Sequence, residues 1–485
     1  MNVLRLAACG GFSLLLAACA TQAPPASVPA AVPAQWYAPL PASASGEGND
    51  GTSLPHNGAL TDLSQWWQQH GDPSLVQLIE AAQLVSPTIS ASRTRIEQAR
   101  ATRVAAGAAL LPAVDGALSV TRSSAQPPLP MASVVQGGLQ ASWELDLFGA
   151  RRDLRDAAEA RLEGAQAGWH DARVSVAAEV ANQYYGLRAC RRLLAIVRTD
   201  AASRDKTAQL TQQSADAGFQ APATAALARA SAAEGSSRAI QQRQQCDLAV
   251  KALVTLTALD EPALRQKIDE SPAMLAPAAI ALAALPATIL AQRPDVFNAG
   301  REVAAASAET GNAQAQRYPR LSLAGSIGAA SFRAGGVTTS LDTWSIGPLS
   351  LTLPVFDAGT RAANVDAARA RYDEAVARYQ ASIRQAVGEV EQALVNLQAS
   401  FDRGADVQVA AEGFRVSFES TENRFKAGFA SLLELEDTRR TLLAAETALV
   451  TLQRDRALAW IALYRAAGGG WPGPGAVEQT ASGPR

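Results

Sequence analysis

The chain has 485 residues, is 48% hydrophobic and 18% charged, and is only 5% aromatic. Its net charge of -2, from 43 basic and 45 acidic residues, excludes the basic excess that a nucleic-acid partner demands. Alanine dominates the apolar content, which favours long, closely packed helices over a bulky globular core.

In chain order, Met1 to Arg5 carries one positive charge and Leu6 to Ala18 is apolar. That run of roughly 13 residues is too short to span a bilayer and matches a signal-peptide core. It ends in Leu16-Ala17-Ala18-Cys19, which resembles a bacterial lipobox. The resemblance implies cleavage before Cys19, diacylglycerol on its sulfur and acylation of its new amino terminus. Ala20 in place of Asp implies sorting to the outer membrane. The alternative is an ordinary signal peptide with an incidental cysteine. Residues 1–18 are read as the signal peptide and 19–55 as a lipidated tether rich in Pro, Ala, Ser and Gly. No other run reaches about 18 apolar residues, so a membrane crossing would require a closed β-barrel.

Beyond the tether the sequence repeats itself. Ser86-Pro87 and Arg293-Pro294 each open a helical segment, and Pro112 and Pro319 close them; both proline pairs lie 207 positions apart. Asp156 to Arg161 matches Asp366 to Arg371, and Gly218 matches Gly428, both at an offset of 210. The expected organisation is a first repeat over 56–270, a linker over 271–292, a second repeat over 293–467 and a tail over 468–485.

Within each repeat the period changes to two. Leu139, Ala141, Trp143, Leu145 and Leu147 alternate with Gln140, Ser142, Glu144 and Asp146. Val114, Gly116, Leu118 and Val120 follow a looser version, as do Leu321, Leu323, Gly325 and Ile327. Leu349, Leu351, Leu353 and Val355 resume it after a break at Gly347-Pro348. Strands are predicted at about 113–147 and 320–356, with loops around Ser123 to Ser133 and Arg333 to Thr343. Long helices are predicted from about Ala150 to Ala217 and Thr360 to Ala427, each roughly 100 Å long. The glycines at 218 and 428 mark hairpin tips, at about 217–222 and 427–431.

Four strands cannot close a barrel, because small barrels need about eight. An open sheet would leave edge amides unsatisfied in lipid. The chain must therefore assemble, and three copies would supply twelve strands above a tube of twelve helices. The expected fold is mainly α with a membrane β-barrel, built from a duplicated helix-strand-strand-helix-helix unit.

At the level of whole motifs the sequence resembles the TolC-like outer membrane factors, specifically the NodT-family lipoprotein branch. The matching stretches are WWQQHGDPSLVQLIEAA, QRPDVFNAGREVAAASAETGNAQAQRYPRLSLAGSIG, LTLPVFDAGTRAANVDAARARYDEAVARY, RFKAGFASLLELEDTRRTL and LYRAAGGGW. The resemblance implies a homotrimer with a 12-stranded outer-membrane β-barrel on a 12-helix periplasmic α-barrel. It also implies a periplasmic adaptor and an inner-membrane transporter of the RND type as partners, in a tripartite efflux system. Rival readings are a type I protein or peptide secretion channel, a structural trimeric coiled-coil lipoprotein and an enzyme on a lipid tether.

Glu434 and Asp437, three apart after the second tip, share one helix face. The resemblance implies that they form two acidic rings at the closed periplasmic aperture. Glu434 stands where many relatives carry Asp or a non-acidic residue. On the residues alone, the favoured reading is a solvated acidic face aided by Arg439 and Arg440. The first tip carries Thr224 and Leu227 at the corresponding positions, which would leave the gate in one hairpin per chain. The resemblance implies adaptor contact at Gly218, Phe219, Gly428 and Phe429; otherwise each Phe caps its own hairpin. Cys190 and Cys246 lie 28 residues before and after Gly218, at equal height in a hairpin that turns there. They are either a disulfide or two buried thiols.

Little suggests catalysis. His56, His70 and His170 lack metal-ligand spacing, no phosphate loop or nucleophile elbow occurs, and the glycines from Gly468 to Gly475 read as a helix stop. No cofactor is expected beyond the covalent lipid on Cys19.

Overall fold

The computed structural model describes residues 23–30, 33, 36–38, 67, 72–124, 131–270, 290 and 293–471. The signal peptide, Cys19, His56, His70, nearly all of the 271–292 linker and the tail beyond Trp471 lie outside the described residues. In order, the elements are α1 (Pro73–Val85), α2 (Pro87–Ala108), β1 (Ala113–Ser123), β2 (Ala132–Leu145), α3 (Ala150–Asp216), α4 (Pro222–Thr257) and α5 (Glu261–Glu270). They continue with α6 (Pro294–Ala315), β3 (Arg320–Ala334), β4 (Val337–Thr352), α7 (Thr360–Asp402), α8 (Gly404–Lys426) and α9 (Leu432–Ala466). The chain divides into two compact units, and each draws on both halves of the sequence.

The first unit comprises Met1–Ala30, Arg93–Ala167 and Phe297–Ser382. It holds a four-stranded antiparallel sheet in the order β1-β2-β3-β4, so β1 and β4 are both free edges. Directly paired residues share a face. One face is apolar, as in the rows Val114–Ala141–Gly325–Ile346 and Trp143–Leu323–Leu349. The other carries Asp115, Gln140 and Ser326 in one row, and Ser142 and Glu144 beside it. Both faces are solvent-accessible in the single chain, and Leu118, Trp344, Ile346 and Leu351 are exposed.

Gly138 pairs with Gly328 on the polar face. A Cβ on Gly138 would lie 2.6 Å from the Ile327 carbonyl oxygen, and one on Gly328 would lie 2.6 Å from that of Gly137. The β2 and β3 backbones approach closely on the polar side here and leave no room for a side chain at either position.

Two expectations for the strands need correction. The span from Arg333 to Thr343 is no loop: β3 and β4 join through Gly335-Gly336 alone, and both residues have positive φ, at 57° and 87°. A two-residue turn of this kind matches the strand twist and favours Gly-Gly. The break at Gly347-Pro348 is also absent. β4 runs through it, and the pairing against β3 shifts between Leu323 and Gly325, where a bulge accommodates the proline.

Helical packing in this unit runs through small residues. Ala305 of α6 meets Ala157 and Ala160 of α3, while Val303 and Ala306 meet Ala375 of α7. Arg161 binds Glu302 at 3.0 Å and Glu309 at 2.6 Å, joining α3 to α6. Residues of the tether lie on these helices. Ser307 Oγ donates to the Pro24 carbonyl at 2.5 Å, Tyr372 Oη donates to that of Pro25 at 2.9 Å, and Val28 packs on the Tyr372 cluster.

The second unit comprises Ala31–Ser92, Gly168–Val296 and Ile383–Arg485. Asp72 caps α1 through the amides of Ser74 and Leu75, and its other oxygen takes the Arg188 guanidinium at 2.8 Å and the Tyr184 hydroxyl. Leu75, Leu78, Leu187, Leu253 and Leu264 are fully buried. Cys190 of α3 and Cys246 of α4 have Cα atoms 5.6 Å apart.

The second long helix, expected as one piece to Ala427, is interrupted at Arg403. Arg456 of α9 donates to the Ser400 carbonyl at 2.6 Å, the acceptor that the next turn of α7 would use. A side chain inserted into the ladder interrupts a helix in this way. A Cβ at position 404 would lie 2.8 Å from the tip of the same guanidinium.

Candidate functional site

The site lies in the second unit, where α3 turns into α4 and α8 into α9. Both turns are built alike. Gly218 has φ 80° and Gly428 has φ 82°. The Phe219 amide donates to the Ser214 carbonyl and the Phe429 amide to that of Arg424, each at 2.8 Å. This six-to-one bond with a left-handed glycine closes a helix and satisfies its last carbonyls. Phe219 is 85% exposed and Phe429 is 78% exposed, so neither ring covers its own hairpin.

The restart after each turn differs. α9 has Ser431 as its cap, and the Ser431 Oγ accepts from the Glu434 amide at 3.1 Å. α4 starts from Ala221 and Pro222 with no side-chain cap. The Glu434 carboxylate takes the Arg424 guanidinium at 2.8 Å, and Arg424 also donates to the Phe429 carbonyl at 3.1 Å. Asp437 pairs with Arg440 at 2.5 Å. Both carboxylates are exposed, on one side of α9.

Arg439 is not part of that solvated face. It is buried, as are Arg204 and Asp200 of α3. Arg204 binds Asp200 at 2.9 Å and also contacts Glu436. The Ser231 hydroxyl of α4 accepts from Arg204 at 2.6 Å and donates to Glu436 at 2.8 Å. Arg439 contacts Glu436, donates to the hydroxyls of Ser203 and Thr207 at 3.1 Å each, and lies over the Phe418 ring of α8. Burial lowers the Arg439 guanidinium from its usual value, against the opposing pull of Glu436. Two acids and two guanidiniums make the cluster neutral, and it fastens the α8–α9 tip to the α3–α4 tip. The sequence did carry a signal for it. At 100° per residue, Glu436 and Arg439 fall on the side of the buried Leu432 and Leu435, opposite Glu434 and Asp437.

Among the described residues, no group of three or more His, Cys, Asp or Glu is placed to hold a metal, and no helix is long and apolar enough to cross a membrane.

The profile of the outer membrane efflux protein family matches residues 78–259 and 285–469. The pyoverdine export outer membrane protein OpmQ of Pseudomonas aeruginosa is 30% identical, over 97% of this chain and 97% of that one. Nodulation protein T of Rhizobium leguminosarum bv. trifolii is 29% identical, over 95% and 96%. The solved structure of the outer-membrane channel OprN superposes with a TM-score of 0.78 at 26% identity, covering 92% of this chain and 99% of that one. The chain belongs to the outer membrane efflux protein family.

Proposed function

We propose that three copies of this chain form a passive, water-filled conduit across the outer membrane, gated at the helical tips. The sheet carries this reading: it has two free edges, one apolar face and one polar face. Pairing β4 of one copy with β1 of the next satisfies both edges and closes twelve strands. The apolar face then meets lipid and the polar face lines the lumen. On β2 itself the apolar positions of this face run from Leu145 to Val135, ten residue steps, while the Gly137 and Val135 rows carry Asp342, Ser331 and Ser340 on β3 and β4. At about 3.4 Å per residue and a tilt of about 40°, that is a band about 26 Å tall. Barrels in the outer membrane show an apolar band of about 25 Å.

The duplication is supported by the matched blocks, which begin at 78 and 285 and end at 259 and 469, offsets of 207 and 210. Element starts agree, with α2 and α6 207 apart, and α3 and α7, or α4 and α9, 210 apart. We read 1–18 as a signal peptide, 19–55 as a segment lipidated at Cys19, 56–270 and 293–467 as the two repeats, 271–292 as their linker and 468–485 as a tail. Cys190 and Cys246 form a disulfide that stiffens the first hairpin. Glu434 and Asp437 ring the periplasmic aperture, and the second hairpin moves while the first stays fixed. The exposed Phe219 and Phe429, with Gly218 and Gly428, contact a periplasmic adaptor that links the channel to an inner-membrane transporter of the RND type.

The test is to purify the full chain in detergent, measure its oligomeric mass and insert it into planar bilayers. A trimer with ion conductance is expected. A trimer without conductance would replace the channel by a structural coiled-coil lipoprotein. Crosslinking in cells, followed by identification of the captured adaptor and transporter, distinguishes drug-type efflux from type I secretion.

A further inference from the structure

The apolar face of the sheet ends at its outward margin in a row of different chemistry. Arg122 of β1 pairs with Ser133 of β2, and Ser133 pairs with Arg333 of β3, so all three share the apolar face. The next row toward the helices is Val120–Val135–Ser331–Ser340, and below it stands Leu118. Arg122 and Arg333 are exposed, and among the described residues neither has an ion-pair partner. The strands hold one other basic residue, Arg320, at the opposite end of β3 and on the polar face. The two guanidiniums are therefore specific to one margin and one face.

Their spacing is set by the sheet. Arg122 and Arg333 lie two strands apart, about 9.6 Å between backbones, with the Ser133 hydroxyl between them. An arginine side chain is long enough for both to converge on one anion. Guanidinium is the side chain whose fork matches phosphate. An arginine on a lipid-facing strand is costly at mid-membrane and nearly free at the interface, where anionic headgroups attract it.

We propose that Arg122, Ser133 and Arg333 form a binding site for the phosphate of an outer-leaflet lipid headgroup. The inference rests on the reading of the apolar face as lipid-facing in a closed barrel. Three such sites would surround the trimer at the outer surface, each clamping a phosphorylated glycolipid against β1, β2 and β3. The one acid on this face, Asp342 of β4, lies two rows closer to the helices, in the row of Leu118, Gly137 and Ala329. It stays clear of the site within one chain. β4 is the edge that meets β1 of the next copy, so a pairing of Arg122 with Asp342 across that seam is the competing account.

The test uses the full-length protein in detergent, delipidated and titrated with bisphosphorylated lipid A or with its dephosphorylated form, with bound lipid counted by native mass spectrometry. The wild type should retain the phosphorylated form. Arg122→Gln or Arg333→Gln should each weaken that binding about tenfold, the loss expected for one charged hydrogen-bonding group. The double variant should bind phosphorylated lipid no better than wild type binds the dephosphorylated form. Equal retention of the two lipids by wild type, or unchanged retention in the double variant, overturns the site. Displacement of the lipid by millimolar inorganic phosphate would reassign the pair to free phosphate. Asp342→Asn loosening the trimer as Arg122→Gln does, with lipid retention intact in both, would establish the seam pairing instead. Conductance of wild type and variants is measured in parallel. A conducting double variant isolates failure of the site, whereas a wild type that does not conduct removes the barrel on which the site depends.

Discussion

Arg439 on α9 donates to the Thr207 hydroxyl on α3 at 3.1 Å, 232 residues away in sequence. The bond belongs to the buried cluster of Asp200, Arg204, Glu436 and Arg439, which lies one side of α9 away from the exposed acids. Removing one member of a buried charged network leaves the others uncompensated, at a cost of about 3 kcal/mol. Arg439→Met should therefore raise amide exchange across Leu432 to Arg440 by about 100-fold while the sheet keeps its protection. Exchange equal to wild type would show that the cluster does not hold the tip.

The exposed acids make a separate prediction. Glu434→Ala with Asp437→Ala should raise single-channel conductance and weaken cation preference, because rings of carboxylates favour cations. Arg424 and Arg440, each paired with one of these acids, are freed by the same change. Unchanged conductance and selectivity would remove both residues from the aperture.

For the cysteines, peptide mapping with and without reductant should find Cys190 and Cys246 in one crosslinked species that separates on reduction. They lie 56 residues apart in sequence, and a bridge closing such a loop stabilises by about 2–4 kcal/mol. Replacing both by Ser should lower the protection of α3 and α4 near the pair. Recovery of two alkylatable thiols from the native protein would rule the bridge out.

Asp153 opens α3 in the first unit. Burial, with the Asp156 and Asp146 carboxylates, pushes its carboxyl from 3.8 up to about 6. The folded chain thus holds this proton more tightly than the unfolded chain does. The stability it contributes is complete below about pH 4 and is lost as pH rises through 6. Asp153→Asn should raise the melting temperature above pH 6, with the gain vanishing by pH 4. A gain independent of pH would exclude this carboxyl as its source.

The fold of the sheet depends on Gly138 and Gly328. Gly138→Ala places a methyl 2.6 Å from a backbone oxygen that cannot swing away. It should abolish assembly of the proposed trimer. Gly107→Ala, with nothing within 4 Å of the added carbon, should assemble normally. Equal assembly of the two variants would show that the sheet can open at that point.

Punctuation and period carried most of the fold. The prolines at 87 and 294 start helices and the glycines at 218 and 428 end them, because backbone geometry at such residues is a local property. Alternation exposed both faces of β2 for the same reason. The misread turn at Gly335-Gly336 had its cue in the sequence, but the surrounding Ser, Thr and Gly residues imitate a loop. The interruption at Arg403 could not be read locally, since its cause is Arg456 on another helix. At the tip, spacing located Glu434 and Asp437. The burial of Arg439 depends on α3 packing against it, and its charge concealed a position that the neighbouring leucines marked as interior.

The segment from Ala23 to Val28, clipped to α6 and α7 through the Pro24 and Pro25 carbonyls, fixes what the residues before it can do. Cys19 precedes Ala23 by four residues, at most about 14 Å of extended chain. Ala23 lies beside Gly311, near the end of α6 that leads into β3. Acyl chains on Cys19 would therefore enter the bilayer at the foot of the sheet. Such a lipid would be a mooring at a set point on the hull, and it would hold the strands of the proposed barrel at their depth in the membrane.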